Sequence, residues 1–236
     1  MPTNPQEEFW SGPAGRTYMM RNNVEAGRLE ERVAFFDLFY EFPRDLPILE
    51  VGCNVGINLS ILRKMGFTNL SGIDIYSSAI LVAEKFVPGA HFAVGSILDL
   101  PYADEEFGAV FSSGVLIHQD PNESLSRAMS EMLRCSSQYI LGFEDYAETF
   151  EAPRCYARHD LYWRGPYNKM WKDPDYGLQL EKRCIQDPPG TLVFYKKGTS
   201  AADMAAATLD SPHIERTEEW DYVRESYRFS KKKKEA

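Results

Sequence analysis

The segment Leu49-Glu50-Val51-Gly52-Cys53-Asn54-Val55-Gly56 constrains the fold more than any other, because an apolar run that ends in glycines and opens a helix is a strand–turn–helix unit. Glycines at such a turn let the backbone bend sharply and approach a ligand at a helix N-terminus. A dinucleotide fingerprint needs G-x-G-x-x-G, and here Asn54 takes the second place and Ile57 the third, which disfavours nicotinamide binding. Asn54 suits the turn because Asn visits the left-handed backbone region more readily than other non-glycine residues. Asp74 closes a second apolar run, Gly72-Ile73-Asp74-Ile75, and in a doubly wound sheet that strand lies beside the first and aims a carboxylate at a ribose diol. Glycine turn plus carboxylate reads as a nucleoside site. The plainer alternative is a tight turn at Gly52 and Gly56, with Asp74 capping the next helix.

From Pro47 onward, short apolar runs alternate with amphipathic stretches, the pattern of a parallel sheet covered by helices. Strands are expected at 47–52, 70–75, 91–94, 108–113 and 139–143. Between them fall helices at 57–65, with Leu59, Leu62 and Met65 on one face, at 77–87 with Ser77 as N-cap, and at 122–134 with Leu125, Met129, Met132 and Leu133 inward. Residues 178–186 and 191–197, separated by Asp187-Pro-Pro-Gly, read as a closing hairpin. The stretch 148–176 breaks the alternation and is rich in aromatics, Pro and Arg, which marks a lid or substrate insertion. A first core helix is expected at Val24–Phe42, an Ala-rich helix near 200–209 and a charged aromatic stretch near 214–229. The organisation is thus an N-terminal lid and first helix (1–45), a core (46–198) carrying the insertion, and a C-terminal extension (199–236).

A formal net charge of −9 argues against a nucleic-acid enzyme. The basic run Lys231–Lys234 reads as a solubilising tail. No stretch reaches the roughly 18 uninterrupted apolar residues of a membrane helix, and the N-terminus lacks signal-peptide character, so the chain is expected in the cytoplasm without a membrane partner. Cys53, Cys135, Cys155 and Cys184 show no CxxC pairing and no His spaced to complete a zinc site, so no metal is expected and the thiols read as reduced.

Taken in order, the Glu50–Gly56 turn, the Asp74 strand end, Gly95-Ser96-Ile97-Leu98-Asp99-Leu100-Pro101 and Phe107-Gly-Ala-Val resemble the class I S-adenosylmethionine-dependent methyltransferases over about residues 45–145. More narrowly, Glu8-Phe-Trp-Ser-Gly, Tyr18, Arg21-Asn22, Gly95-Ser-Ile-Leu-Asp and Gly114-Val-Leu-Ile-His118 resemble methylases associated with pseudaminic acid biosynthesis, over about residues 6–197. The resemblance implies an α/β fold, a Rossmann-like doubly wound sheet of seven strands, mostly parallel with the last antiparallel, and helices on both faces. It implies S-adenosylmethionine as cofactor and a nonulosonic sugar acid or sugar nucleotide as substrate. Glu50, Gly52 and Gly56 would face the methionine end, Asp74 and Ile75 the ribose, and Ser96 and Ile97 the adenine, with Asn54 in the turn also counted as cofactor-binding. Ser96 and Gly108 stand where the wider superfamily usually has Asp.

On the substrate side, Trp10, Tyr18 and Arg21 precede the first core helix and suit a lid over the cofactor, with Arg21 pairing a carboxylate; packing on the core is the competing reading. His118 follows the fourth strand at the ligand edge and is a candidate base for a hydroxyl nucleophile, or else a turn-capping histidine. Glu144, just past strand five, is the reserve base; with Asp145 and Tyr146 it would orient substrate. Within the insertion, Tyr156, Arg158 and His159 suit a carboxylated or phosphorylated sugar, the alternative being an aromatic subdomain or a homo-oligomer contact. Two rival functions stay open: N-methylation of a small amine or guanidine, and a non-catalytic interaction module that keeps the fold.

Overall fold

The computed structural model describes residues 4–22, 36, 38–171, 178–186 and 190–197, the last two segments by their backbone. Most of the expected helix at Val24–Phe42 lies outside the described residues, as do residues 172–176, 187–189 and everything beyond Lys197.

The centre is a parallel sheet of β1 (Ile48–Val51), β2 (Leu70–Asp74), β3 (His91–Val94), β4 (Phe107–Ser113) and β5 (Ser136–Asp145). Its spatial order is β3-β2-β1-β4-β5, continued by β7 (Gly190–Lys197) and then β6 (Leu178–Gln186). β7 runs antiparallel to both β5 and β6, so the antiparallel strand lies inside the edge rather than on it. Strand order reverses between β1 and β4, where the chain leaves in opposite directions and opens a crevice at the carboxyl ends.

Alternation along the strands builds both faces. Ile48, Ala109, Phe111 and Leu141 join Leu59, Leu62 and Phe67 in one apolar cluster, reached through α3 (Ile57–Lys64). Leu49, Val110 and Ile140 join Met129, Met132 and Trp171 in the other, covered by α5 (Leu125–Cys135) and by α6 (Tyr167–Met170) within the insertion. Leu59, Leu62, Met65, Leu125, Met129 and Met132 are buried as their spacing predicts, whereas Leu133 is only partly buried. At Gly108 an added Cβ would lie 2.2 Å from Leu46 Cδ1, so Leu46 fills the space that a side chain would need.

Helix boundaries differ from expectation in two places. The helix after β2, α4 (Ser77–Phe86), takes Tyr76 rather than Ser77 as its N-cap, because Asp74 Oδ1 accepts the Tyr76 N–H at 2.8 Å and sets where helical geometry begins. The helix expected from Asn122 begins at Leu125, because Asp120 first organises a turn: its Oδ1 accepts from Asn122 N and its carbonyl accepts from the N–H groups of Glu123, Ser124 and Leu125.

Candidate active site

The turn after β1 is self-contained. Gly52 N and Cys53 N donate to Ile73 O at 2.7 and 3.0 Å, Asn54 N to Asp74 Oδ2 at 2.9 Å, Val55 N to Asn54 Oδ1 at 2.7 Å and Gly56 N to Cys53 O at 2.9 Å. Each N–H from Gly52 to Gly56 is therefore used internally, and none is left to cradle a pyrophosphate. Gly52, Asn54 and Gly56 have φ of 69°, 48° and 79°, the left-handed geometry the two glycines and the asparagine tolerate. The reason for Gly52 differs from expectation, since an added Cβ would lie 2.4 Å from Val115 Cγ2. Gly52 makes room for Val115 while its backbone lines the crevice.

Asp74 combines both sequence readings. Its two oxygens hold Asn54 N and Tyr76 N, which ties the turn to the start of α4, and it also lines the crevice. Burial raises its carboxyl above the ordinary value, while the two amide hydrogen bonds pull it back. Asp74→Ala is expected to lower stability and cofactor affinity together, each by about 1.5–3 kcal/mol, the range for hydrogen bonds to a charged group. Parallel thermal unfolding and calorimetric titration check this; loss in only one of the two would assign Asp74 a single role.

The crevice lies at the carboxyl ends of β1, β2 and β4, roofed by α1 (Pro5–Ser11) and α2 (Pro13–Asn22). From the core it gathers Glu50, Gly52, Asn54, Asp74, Ile75 and Ile97. From the roof and the turn after β4 it gathers Trp10, Tyr18, Arg21 and His118. Glu50 is 1% exposed and accepts from Asn58 Nδ2 at 2.5 Å. The Arg21 guanidinium lies 5.0 Å over the Tyr18 ring.

Gly56 and Ser96 stand outside it. Gly56 is the N-cap of α3 behind the turn, its Cα facing Val87 and Ala83. Ser96 Oγ donates to the Glu7 carboxylate and accepts from Leu98 N at 2.9 Å, so it reaches the crevice through Glu7. Sequence reasoning missed Gln6, Glu7, Asn58 and Gln119, all of which line the crevice. The signal for Glu7 was Asn4-Pro5 two residues earlier, a helix start in which Asn4 Oδ1 accepts the Glu7 N–H at 2.9 Å.

His118 ends a 3-10 turn, Leu116–His118, and its ring lies 4.4 Å from that of Trp10. Its Nδ1 is 2.6 Å from Leu161 O. A carbonyl can only accept, so Nδ1 carries the proton and Nε2 presents a lone pair. Burial lowers its pKa from 6.5 to about 4, against the opposing pull of that hydrogen bond and of Asp145.

The reserve base is placed elsewhere. Glu144 is 3% exposed, does not line the crevice, and accepts from Ser112 Oγ at 2.7 Å, Val115 N at 3.0 Å and Ile117 N at 3.3 Å. It anchors the turn that carries His118. Burial pushes its pKa from 4.5 up to about 7, with the donated hydrogen bonds pulling down.

The expected substrate residues do not line the crevice. Asp145 accepts from Tyr162 Oη, and Tyr146 donates to Glu148. Tyr156 is half-exposed at the rim, its ring 5.2 Å from Phe9. Arg158 pairs with its neighbour Asp160 in solvent, and His159 Nδ1 is 3.0 Å from Ala152 O.

The crevice lies at a strand-order reversal, with a carboxylate on the second strand and a turn whose amides are satisfied internally, and residues 49–138 match the methyltransferase domain family. The match covers less than half of the chain, and S-adenosylmethionine, which carries no phosphate, is compatible with the self-contained turn. Among solved structures, magnesium protoporphyrin IX methyltransferase from Synechocystis with bound S-adenosylhomocysteine superposes with a TM-score of 0.62, at 14% identity, over 81% of this chain and 98% of that one. A Mesorhizobium loti S-adenosylmethionine-dependent methyltransferase gives 0.58, at 13% identity, over 71% and 98%. A Haloferax volcanii complex of the Trm112 methyltransferase activator and a methyltransferase gives 0.61, at 14% identity, over 84% and 99%. An uncharacterised Haemophilus influenzae protein is 27% identical over 99 residues, and the match spans 39% of this chain and 39% of that relative. Among the described residues no helix is long and apolar enough to cross a membrane.

Proposed function

We propose that the protein methylates a small polar molecule, a sugar acid or sugar nucleotide of the nonulosonic (pseudaminic) acid type, using S-adenosylmethionine. The observation that carries this reading is that His118, with an unprotonated ring nitrogen, lines the same crevice as Asp74 and the turn after β1. Glu50 and the turn would hold the methionine end, Asp74 and Ile75 the ribose, and Ile97 the adenine, with Ser96 acting by holding Glu7. When bound, the cofactor supplies a methyl group already activated by its sulfonium. The chain's own residues have to align the nucleophile, exclude water and accept a proton.

Trp10, on the roof, packs against His118 and shields it from bulk water. His118 Nε2 accepts the hydroxyl proton as the nucleophile attacks, and the Leu161 carbonyl stabilises the imidazolium through Nδ1–H. The test is incubation with labelled cofactor and a panel of sugar acids, sugar nucleotides and small amines, reading product mass; methylation of amines alone would replace the hydroxyl reading. His118→Ala is expected to slow turnover on a hydroxyl substrate by about 100-fold with cofactor affinity near normal. The acid limb of the pH–rate profile is expected near the lowered pKa of about 4, not near neutrality. Turnover unchanged by the substitution would remove His118 as the base.

A further inference from the structure

Two neighbouring carbonyls of the insertion each fix a side chain of the crevice. Asp160 O accepts from Gln6 Nε2 at 2.9 Å, and Leu161 O receives His118 Nδ1–H at 2.6 Å. Either carbonyl can only accept, so each contact settles which atom of its partner is a donor. Gln6 must direct its Oε1, and His118 its Nε2, away from the insertion.

The atoms so turned are acceptors that lack donors. Gln6 is 5% exposed and its Oε1 has no partner among the described residues; the same holds for Gln119, next to His118, also 5% exposed. Trp10 Nε1, on the ring packed against His118, is a buried donor without an acceptor. Gln6, Trp10, His118 and Gln119 all line one crevice, which therefore presents two acceptors fixed by the insertion, the Gln119 amide and the Trp10 donor. Native proteins rarely leave such groups unmade, because each costs the desolvation of a polar atom. A ligand seated in the crevice would supply partners to all of them at once.

We infer that Gln6, His118 and Gln119 bind hydroxyl groups of a polyhydroxylated substrate, with Gln6 and His118 set as acceptors by the Asp160 and Leu161 carbonyls. A polyol suits this set because each hydroxyl donates to one acceptor while its oxygen can still receive the Trp10 N–H. No carboxylate belongs to this group of four, so nothing in it selects a cation. The inference rests on the methyltransferase reading and narrows its substrate to a hydroxyl carrier.

The test uses the full chain saturated with S-adenosylhomocysteine. Binding of N-acetylneuraminic acid and of its single-deoxy analogues is measured by calorimetry and ligand-observed NMR, for wild type and for Gln6→Met. Wild type is expected to bind at least one deoxy analogue about tenfold more weakly than the parent, the worth of one buried hydrogen bond, and Gln6→Met should erase that discrimination while keeping its affinity for S-adenosylhomocysteine. Discrimination retained by Gln6→Met, or binding confined to small amines, would overturn the inference. So would S-adenosylhomocysteine binding by wild type with no sugar bound. Failure of S-adenosylhomocysteine to bind folded wild type would instead remove the methyltransferase reading itself. Because Gln6→Met could loosen α1, nitrogen NMR of the wild-type histidines supplies an independent check at neutral pH. His118 is expected with Nδ1 protonated and Nε2 bare, and the opposite tautomer would sink the proposed orientation.

Discussion

Gly52→Val is expected to lower stability by roughly 3–5 kcal/mol and to weaken S-adenosylhomocysteine binding by at least 100-fold in whatever fraction stays folded. The position has φ of 69°, which a β-branched residue adopts only under strain. Its Cβ would fall 2.4 Å from one methyl of Val115 and 3.0 Å from the other. The backbone cannot rotate away, because Gly52 N is held by Ile73 O at 2.7 Å. Val115 must therefore move, and with it the turn that carries His118. Thermal unfolding and calorimetric titration check the two effects. Gly52→Ala separates them, since it keeps the strain and the first clash but adds no branch. Wild-type melting and affinity in Gly52→Val would contradict the turn geometry outright.

Glu144→Ala is expected to cost about 3–5 kcal/mol, because it strands Ser112 Oγ and the amides of Val115 and Ile117 in the interior. Glu144→Gln should cost less, roughly 1.5–3 kcal/mol, since its amide oxygen can still accept from Val115 N and Ile117 N while its NH2 faces Ser112 Oγ, which can turn to accept. A catalytic role would give the reverse pattern, with stability kept and turnover lost.

The pH dependence offers a second check. Glu144 has a folded pKa raised to about 7, so its contribution to stability is fully present below about 4.5 and is lost as pH rises towards 7. His118 has a folded pKa lowered to about 4, so its contribution is present above about 6.5 and is lost as pH falls towards 4. Between these limits the two slopes oppose one another. Glu144→Gln should leave the histidine slope alone, and stability should then fall more steeply on acidification from pH 6.5 to 4.5 than in wild type. Equal slopes in the two proteins would mean that Glu144 does not titrate in this range.

The parts of the fold that could be read from the chain are those with a local cause. The short apolar runs at 47–52 and 108–113 mark strands buried on both faces, and the spacing of Leu59 and Leu62 marks the inward side of a helix. Asn54 in the left-handed region follows from its own side chain. The missed residues owe their place to distant contacts. Glu7 is brought to Ser96 across 89 positions and Gln6 to Asp160 across 154, which no local pattern encodes. The misplaced ones failed for a related reason. Glu144 has the composition of a base at the ligand edge, but inward alternation on β5 turns it towards Ser112 instead. Arg158 has the chemistry to grip an anion, yet a neighbouring Asp160 already takes it. Gln119 was within reach of inspection, since it adjoins His118 at the strand edge.

The self-contained turn after β1 also bears on competition inside a cell. ATP and the nicotinamide dinucleotides share adenosine with S-adenosylmethionine, and ATP is generally the more abundant. A turn with spare amides would reward their phosphates and be occupied by the wrong nucleotide for much of the time. Here the amides from Gly52 to Gly56 are already satisfied, and Glu50 and Asp74 place carboxylates along the same crevice. A phosphate placed against this turn would therefore meet carboxylates and no spare amide from Gly52 to Gly56. On the S-adenosylmethionine reading proposed above, selectivity would arise from what the turn withholds, with no residue devoted to rejecting phosphates.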